Sequence, residues 1–162
     1  MITLIGHGYI GKHIQTELWH QDLKHNWISH TDPIPSNTTY IINCAGYTGV
    51  PNVDACEYNK QETIEGNVLF PLNLERSTNV PIMHISSGCV YTGYKDGGWL
   101  ETDTPNFNFD NASFYSATKT LAQAERLLCH RALGQKKLTV IGKEMSSSTP
   151  FTSKEIIKST SG

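Results

Sequence analysis

Tyr115 and Lys119, in the stretch Y-S-A-T-K, stand four residues apart. If the segment is helical, that spacing puts both side chains on one face. A tyrosine with its ordinary pKa of about 10 exchanges protons poorly at neutral pH. A lysine ammonium beside it favours the phenolate and lowers that value, as does the positive ring of an oxidised nicotinamide. A tyrosine so placed can protonate a carbonyl oxygen while hydride arrives at the carbon. Lys119 can also hold the hydroxyls of the nicotinamide ribose. Such pairs also occur by chance on surface helices, so the reading needs a second motif. G-H-G-Y-I-G, residues 6–11, is that motif. Gly6 would permit a tight turn, Gly8 would let the backbone approach a pyrophosphate, and Gly11 would let a helix pack closely on a sheet. Tyr9 and Ile10 would open that helix, whose free N–H groups and dipole favour negative charge. Alone the pattern is weak. Directly between a strand signal and a helix signal it is informative.

A third stretch, S-S-G-C-V-Y at residues 86–91, follows the apolar run Ile82–Ile85. Ser87 at the end of such a strand is ordinary. Cys89 has two readings, a small buried residue, as free cysteines often are, or an acid–base group. The residue that reads the adenosine ribose should follow the second strand. An acid there favours NAD, and an arginine accommodates the 2′-phosphate of NADP. Asp32 lies at about the right distance, but it precedes Pro33 and can equally start a turn. Ser29, His30 and Thr31 are the other candidates. The residues leave NAD and NADP both open.

The elements that must position these groups alternate along the chain. Ile2–Ile5, Trp27–His30, Tyr40–Asn43, Ile82–Ser86 and Lys137–Ile141 read as strands. The segment from Tyr9 to about Trp19 has Ile10, Ile14 and Leu18 at helical spacing. Val53–Asn79 reads as helical with a break near Gly66, and Phe114 to about Leu133 as a helix with Leu121, Leu127 and Leu128 toward the core. T-D-P-I-P-S-N after the second strand is too proline-rich for a helix, and residues 92–112 are loop. Such alternation predicts an α/β fold, a Rossmann-like doubly wound parallel sheet with helices on both faces. Residues 1–141 would form an NAD(P)-binding domain, and residues 142–162, rich in serine, threonine and lysine, a poorly matching tail.

Composition narrows the class. The 162 residues are 38% hydrophobic with a formal net charge of −2, a balance that suits a packed core and favours neither nucleic acid nor an anionic membrane as partner. No apolar run approaches a membrane span, and the N-terminus lacks a signal peptide's features. The four cysteines form no C-x-x-C pair, which fits reduced thiols in a cytoplasmic compartment. The seven histidines show no metal-ligand spacing, so no metal is expected.

Longer stretches carry a family resemblance. N-C-A-G-Y-T-G-V-P-N-V-D-A-C-E (residues 43–57), E-T-I-E-G-N-V (62–68), and D-T-P-N-F followed by S-F-Y-S-A-T-K (103–119) resemble the extended short-chain dehydrogenase/reductases. The closest match is to the epimerase/reductase part of nucleotide-rhamnose synthases, which includes enzymes like dTDP-4-dehydrorhamnose reductase. The resemblance covers roughly residues 1–130 and implies a UDP- or dTDP-4-keto-6-deoxyhexose that is inverted at carbons 3 and 5. The ketone is then reduced with NADPH or NADH, NADP being the commoner choice, to give an L-rhamnose nucleotide. It implies Ser87 as the residue that holds the ketone oxygen, Tyr115 as proton donor and Lys119 as its electrostatic partner. Cys89 would be an epimerisation acid–base group with Lys154 as a weak partner candidate. Asn43, Ala45 and Gly46 would line the cofactor, with Asn67 supporting it or capping a helix. Thr48, Thr104, Pro105 and Asn106 would face the sugar, and a homodimer is the expected assembly. Family members continue into a nucleotide-binding C-terminal region after a strand ending in R-M-P. Here L-T-V-I-G-K-E-M stands in that place, and the expectation is a chain truncated after about residue 133. A plain 4-keto-sugar reductase, and a non-enzymatic dinucleotide-binding subunit or decayed fragment, stay open as alternatives.

Overall fold

Ile2–Ile5 (β1) has no polar alternation, and all four of its residues are buried. That is the mark of a strand covered on both faces of a parallel sheet. A computed structural model describes residues 1–100, 103–104, 106–110, 112–132 and 139–141. Pro105, Lys154 and the tail at 142–162 lie outside them. After β1 come α1 (Tyr9–His20), β2 (His25–Ile28), β3 (Tyr40–Asn43), a 3₁₀ turn (Val53–Glu57), α2 (Lys60–Ile64), a π-helical turn (Glu65–Leu69) and α3 (Phe70–Ser77). Then follow β4 (Ile82–Ile85), a 3₁₀ turn (Gly88–Val90), α4 (Phe114–Ala132) and β5 (Thr139–Ile141). The five strands pair in parallel in the order β2-β1-β3-β4-β5, with a helix-packed core on each face as expected. Ile2, Leu4, Ile42, Met83 and Ile85 pack with Ile14 and Leu18 of α1. Ile5, Ile28, Ile41 and Ile82 pack with Leu74 of α3. Among the described residues no helix is long and apolar enough to cross a membrane.

Three expectations change. The second strand runs from His25 to Ile28, because pairing in register with Ile2–Ile5 sets its ends. Val53–Asn79 breaks near Gly66 as expected, but it opens on a 3₁₀ turn and ends at Ser77. Its α-helical ladder slips into a π turn just before Pro71, which has no N–H to donate. Leu121 points to solvent, 44% exposed, and the inward stripe of α4 is Thr118, Lys119 and Ala122. Leu127 and Leu128 have side chains outside the described residues. The link from β2 to β3 contains no helix, and its Ile34 packs on the second core instead.

Candidate active site

The glycine motif forms the turn its spacing demands. Gly6 has φ +89°, a left-handed conformation that side chains disfavour, and an added Cβ would press on the backbone of Ala45 at 2.6 Å. At Gly11 an added Cβ would collide with the Gly6 carbonyl oxygen, so α1 starts close against the strand end. Gly8, just before the helix, has open space where its Cβ would be, with nothing within 4 Å. Tyr9 is exposed with its ring against His13, while Ile10 packs on the α1-side core. Asp32 closes a turn. Its carboxylate accepts from the Ser29 N–H at 2.7 Å, and its own N–H donates to the Ser29 carbonyl at 3.1 Å.

The segment after β3 is held from two sides. Asn43 is fully buried. Its Oδ1 accepts from the Ala45 N–H at 3.0 Å, and its amide nitrogen pairs with His84 at 3.0 Å. Asn67 is also fully buried. Its Oδ1 accepts from the Tyr47 N–H at 2.8 Å, and its Nδ2 donates to the Tyr47 carbonyl at 2.9 Å and toward Thr118 Oγ1 at 3.4 Å. It is therefore a bracket between loop and catalytic-helix candidate, not a cap. Gly66 makes this approach feasible, because a Cβ there would meet Tyr47 at 2.9 Å. Thr48 is exposed.

Ser87 stands two residues after β4 and caps the next turn, its Oγ accepting from the Cys89 N–H at 3.4 Å. The Ser87 hydroxyl lies near enough to the Tyr115 phenol to act on its titration. Lys119 lies with its Nζ 6.0 Å from the centre of the Tyr115 ring. Ser87, Cys89, Tyr115 and Lys119 are thus brought together. The acidity expected of Tyr115 is not found. Burial first, then the nearby Cys89 sulfur, push its pKa above the ordinary tyrosine value, and the Ser87 hydroxyl only partly opposes them. Lys119 is 5% exposed, and burial pulls its pKa down to about 8. Near pH 7 Lys119 still carries its proton, yet its field does not offset the desolvation of the phenol.

Asn106 is engaged within its own loop. It brackets Thr92, accepting from its N–H at 2.8 Å and donating to its carbonyl at 2.9 Å. The loop it closes also carries the Lys95–Asp103 ion pair at 2.5 Å and the stacked rings of Tyr91 and Trp99. Thr104 is exposed beside it. Gly66, Thr118, His84 and Glu57 are the contributors that sequence reasoning passed over. Each acts through a contact with a residue remote in the chain, so no local pattern marks it.

Gly46 has Lys119 Nζ and Asn67 Oδ1 both 3.0 Å from where its Cβ would stand, so a side chain there would fill the space above the lysine. Residues 8–132 match the RmlD substrate binding domain family. Over 95 residues, 52% of this chain and 14% of the relative, the chain is 41% identical to a trifunctional UDP-glucose 4,6-dehydratase/UDP-4-keto-6-deoxy-D-glucose 3,5-epimerase/UDP-4-keto-L-rhamnose-reductase of Arabidopsis thaliana. It is 39% identical over 94 residues, 52% of this chain and 30% of the relative, to that plant's bifunctional dTDP-4-dehydrorhamnose 3,5-epimerase/dTDP-4-dehydrorhamnose reductase. The protein RMD of Pseudomonas aeruginosa, solved with NADPH, shares the fold at a TM-score of 0.64 and 21% identity, over 86% of this chain and 51% of that one. The chain therefore spans about half or less of each protein it matches. With Ser87 after β4 and the tyrosine–lysine face of α4 inside the matched stretch, the chain belongs to the RmlD substrate binding domain family.

Proposed function

We propose that this chain carries the dinucleotide-binding and catalytic half of an NAD(P)-dependent epimerase/reductase acting on a UDP- or dTDP-4-keto-6-deoxyhexose. The observation that carries the reading is Lys119. It is buried beside Tyr115 and Ser87, and none of the hydrogen bonds or ion pairs found among the described residues satisfies its ammonium. A poorly solvated cation without a protein partner is costly, and ribose hydroxyls are suited to bind it. The residues that would hold the dinucleotide are Gly6, Gly8 and Gly11 at the pyrophosphate, Ala45 and Gly46 along the groove, Asp32 near the adenosine ribose, and Lys119. When bound, the nicotinamide supplies hydride.

Ser87 holds the ketone oxygen and Tyr115 delivers a proton to it, so carbon 4 becomes an alcohol. A phenol held protonated by burial is the correct starting form for a proton donor in the reducing direction. Epimerisation needs a second acid–base group, because Tyr115 and Ser87 only polarise the ketone and stabilise the enolate. Cys89 is close enough to Tyr115 and Lys119 to influence the charge of each, which supports it over a purely packing role. Thr48 and the Thr104–Asn106 loop would face the sugar, with Asn106 keeping the loop closed.

Titration of the chain with NADH and NADPH, followed by tryptophan quenching, tests the cofactor. In the presence of a UDP- or dTDP-4-keto-6-deoxy sugar, NADPH oxidation that Tyr115→Phe abolishes tests the reaction. Loss of solvent deuterium uptake at carbons 3 and 5 in Cys89→Ser, with reduction of an epimerised substrate retained, tests the cysteine. Binding of neither dinucleotide overturns the proposal.

A further inference from the structure

Helix α4 begins at Phe114, one residue before Tyr115, and its first N–H groups have no partner within the helix. Ser113 meets part of that need locally, its Oγ accepting from the Ser116 N–H at 3.2 Å. The Phe114 N–H is met from elsewhere. Glu57, 57 residues earlier at the end of the 3₁₀ turn Val53–Glu57, accepts it through Oε1 at 2.6 Å. That is short for a nitrogen donor, as charge-assisted bonds are. A carboxylate at a helix N-terminus is also favoured by the helix dipole. The same strand-to-helix segment grips the Phe114 ring, with Lys60 Nζ 5.4 Å from its centre. Glu57 itself is placed with care. Asn52 caps its turn by accepting from the Asp54 N–H at 3.0 Å, and Cys56 beside it is fully buried.

We propose that Glu57 is a positioning residue, which locks the first turn of α4 to the segment after β3 so that the Tyr115 phenol meets the Ser87 hydroxyl. The inference rests on the reading of Tyr115 as proton donor. Its contribution would be to alignment and not to substrate contact. Glu57→Ala removes the acceptor, and Glu57→Gln keeps an oxygen acceptor without the charge.

Hydrogen exchange of the 162-residue chain, resolved at the Phe114 amide, gives the first readout. Losing a hydrogen bond to a charged group should speed exchange there about 10- to 100-fold in Glu57→Ala, and Glu57→Gln should restore most of the protection. The second readout is the titration of fluorotyrosine-labelled protein by fluorine magnetic resonance, with Tyr115 assigned by Tyr115→Phe. Because the nearby Ser87 hydroxyl favours the phenolate, loosening the approach of Tyr115 to it should move the Tyr115 midpoint upward in Glu57→Ala and back in Glu57→Gln. Wild-type exchange and an unmoved midpoint in Glu57→Ala overturn the proposal, as does a midpoint that moves equally in both variants. If Glu57→Ala does not fold, Glu57→Asp, which withdraws the charge by one methylene, takes its place with the same expected directions. NADH titration of the wild type stands apart. Failure there removes the cofactor reading and leaves the exchange result intact, whereas normal binding with unchanged exchange removes only the role of Glu57.

Discussion

Replacing Lys119 by methionine should make the empty protein more stable and the cofactor site worse. Burial lowers the Lys119 pKa to about 8, whereas a free lysine titrates at about 10.4. Near pH 7 both the folded and the unfolded chain carry the proton, and the folded one alone bears the desolvation. The gap corresponds to about 3 kcal/mol. Above about pH 8 the folded lysine loses its proton first, so the unfolded state binds more protons and stability rises with pH. Near pH 10 only about 1 kcal/mol of the penalty remains. Lys119→Met keeps an unbranched chain and removes the charge. It should therefore gain about 3 kcal/mol near pH 7, or roughly 6–12 °C in Tm for a domain of this size, and about a third of that near pH 10. Thermal unfolding followed by circular dichroism at both pH values measures the difference directly. NADH and NADPH affinity should fall in the same variant. An unchanged or lowered Tm at pH 7, or a difference that does not shrink at pH 10, would refute the reasoning.

Gly11→Ala should fail to fold normally, since its Cβ meets the Gly6 carbonyl and overpacking of this kind costs about 1–3 kcal/mol or more; urea denaturation checks it. Gly8→Val should leave the unfolding midpoint nearly unchanged, because the site is open, while dinucleotide binding is lost in a fluorescence titration. Asn67→Ala strands the Tyr47 N–H and carbonyl, and at about 1–3 kcal/mol for each buried group left unpaired the loss should be plain in denaturant unfolding. Burial pushes the Cys44 thiol up to about 12, so iodoacetamide at pH 8 should leave it unmodified in native protein and label it readily in denaturant, as peptide mass mapping would show.

Where a residue's environment is set by its neighbours in the chain, the sequence was sufficient. The apolar runs at Ile2–Ile5 and Tyr40–Asn43 have the predicted bounds, and the glycines at 6 and 11 sit where their missing Cβ atoms matter. Tyr115 and Lys119 share a face because four residues make about one helical turn. Legibility ends where the partner is distant. The end of β2 is set by its register on β1, and the direction of Leu121 by which side of α4 the π turn and the loop turns occupy. The acidity of Tyr115 was misjudged for the same reason. Spacing shows that a lysine is near, but only packing shows that both groups lose their water, and desolvation then outweighs the field of the lysine. The alignment of the site is the least visible part. Asn43, Asn67 and Glu57 hold the N–H groups of Ala45, Tyr47 and Phe114. Every non-proline residue carries such an N–H, so the recipient has no signature of its own. Side-chain types declare which chemistry is available, whereas the backbone contacts that aim it emerge only with the fold.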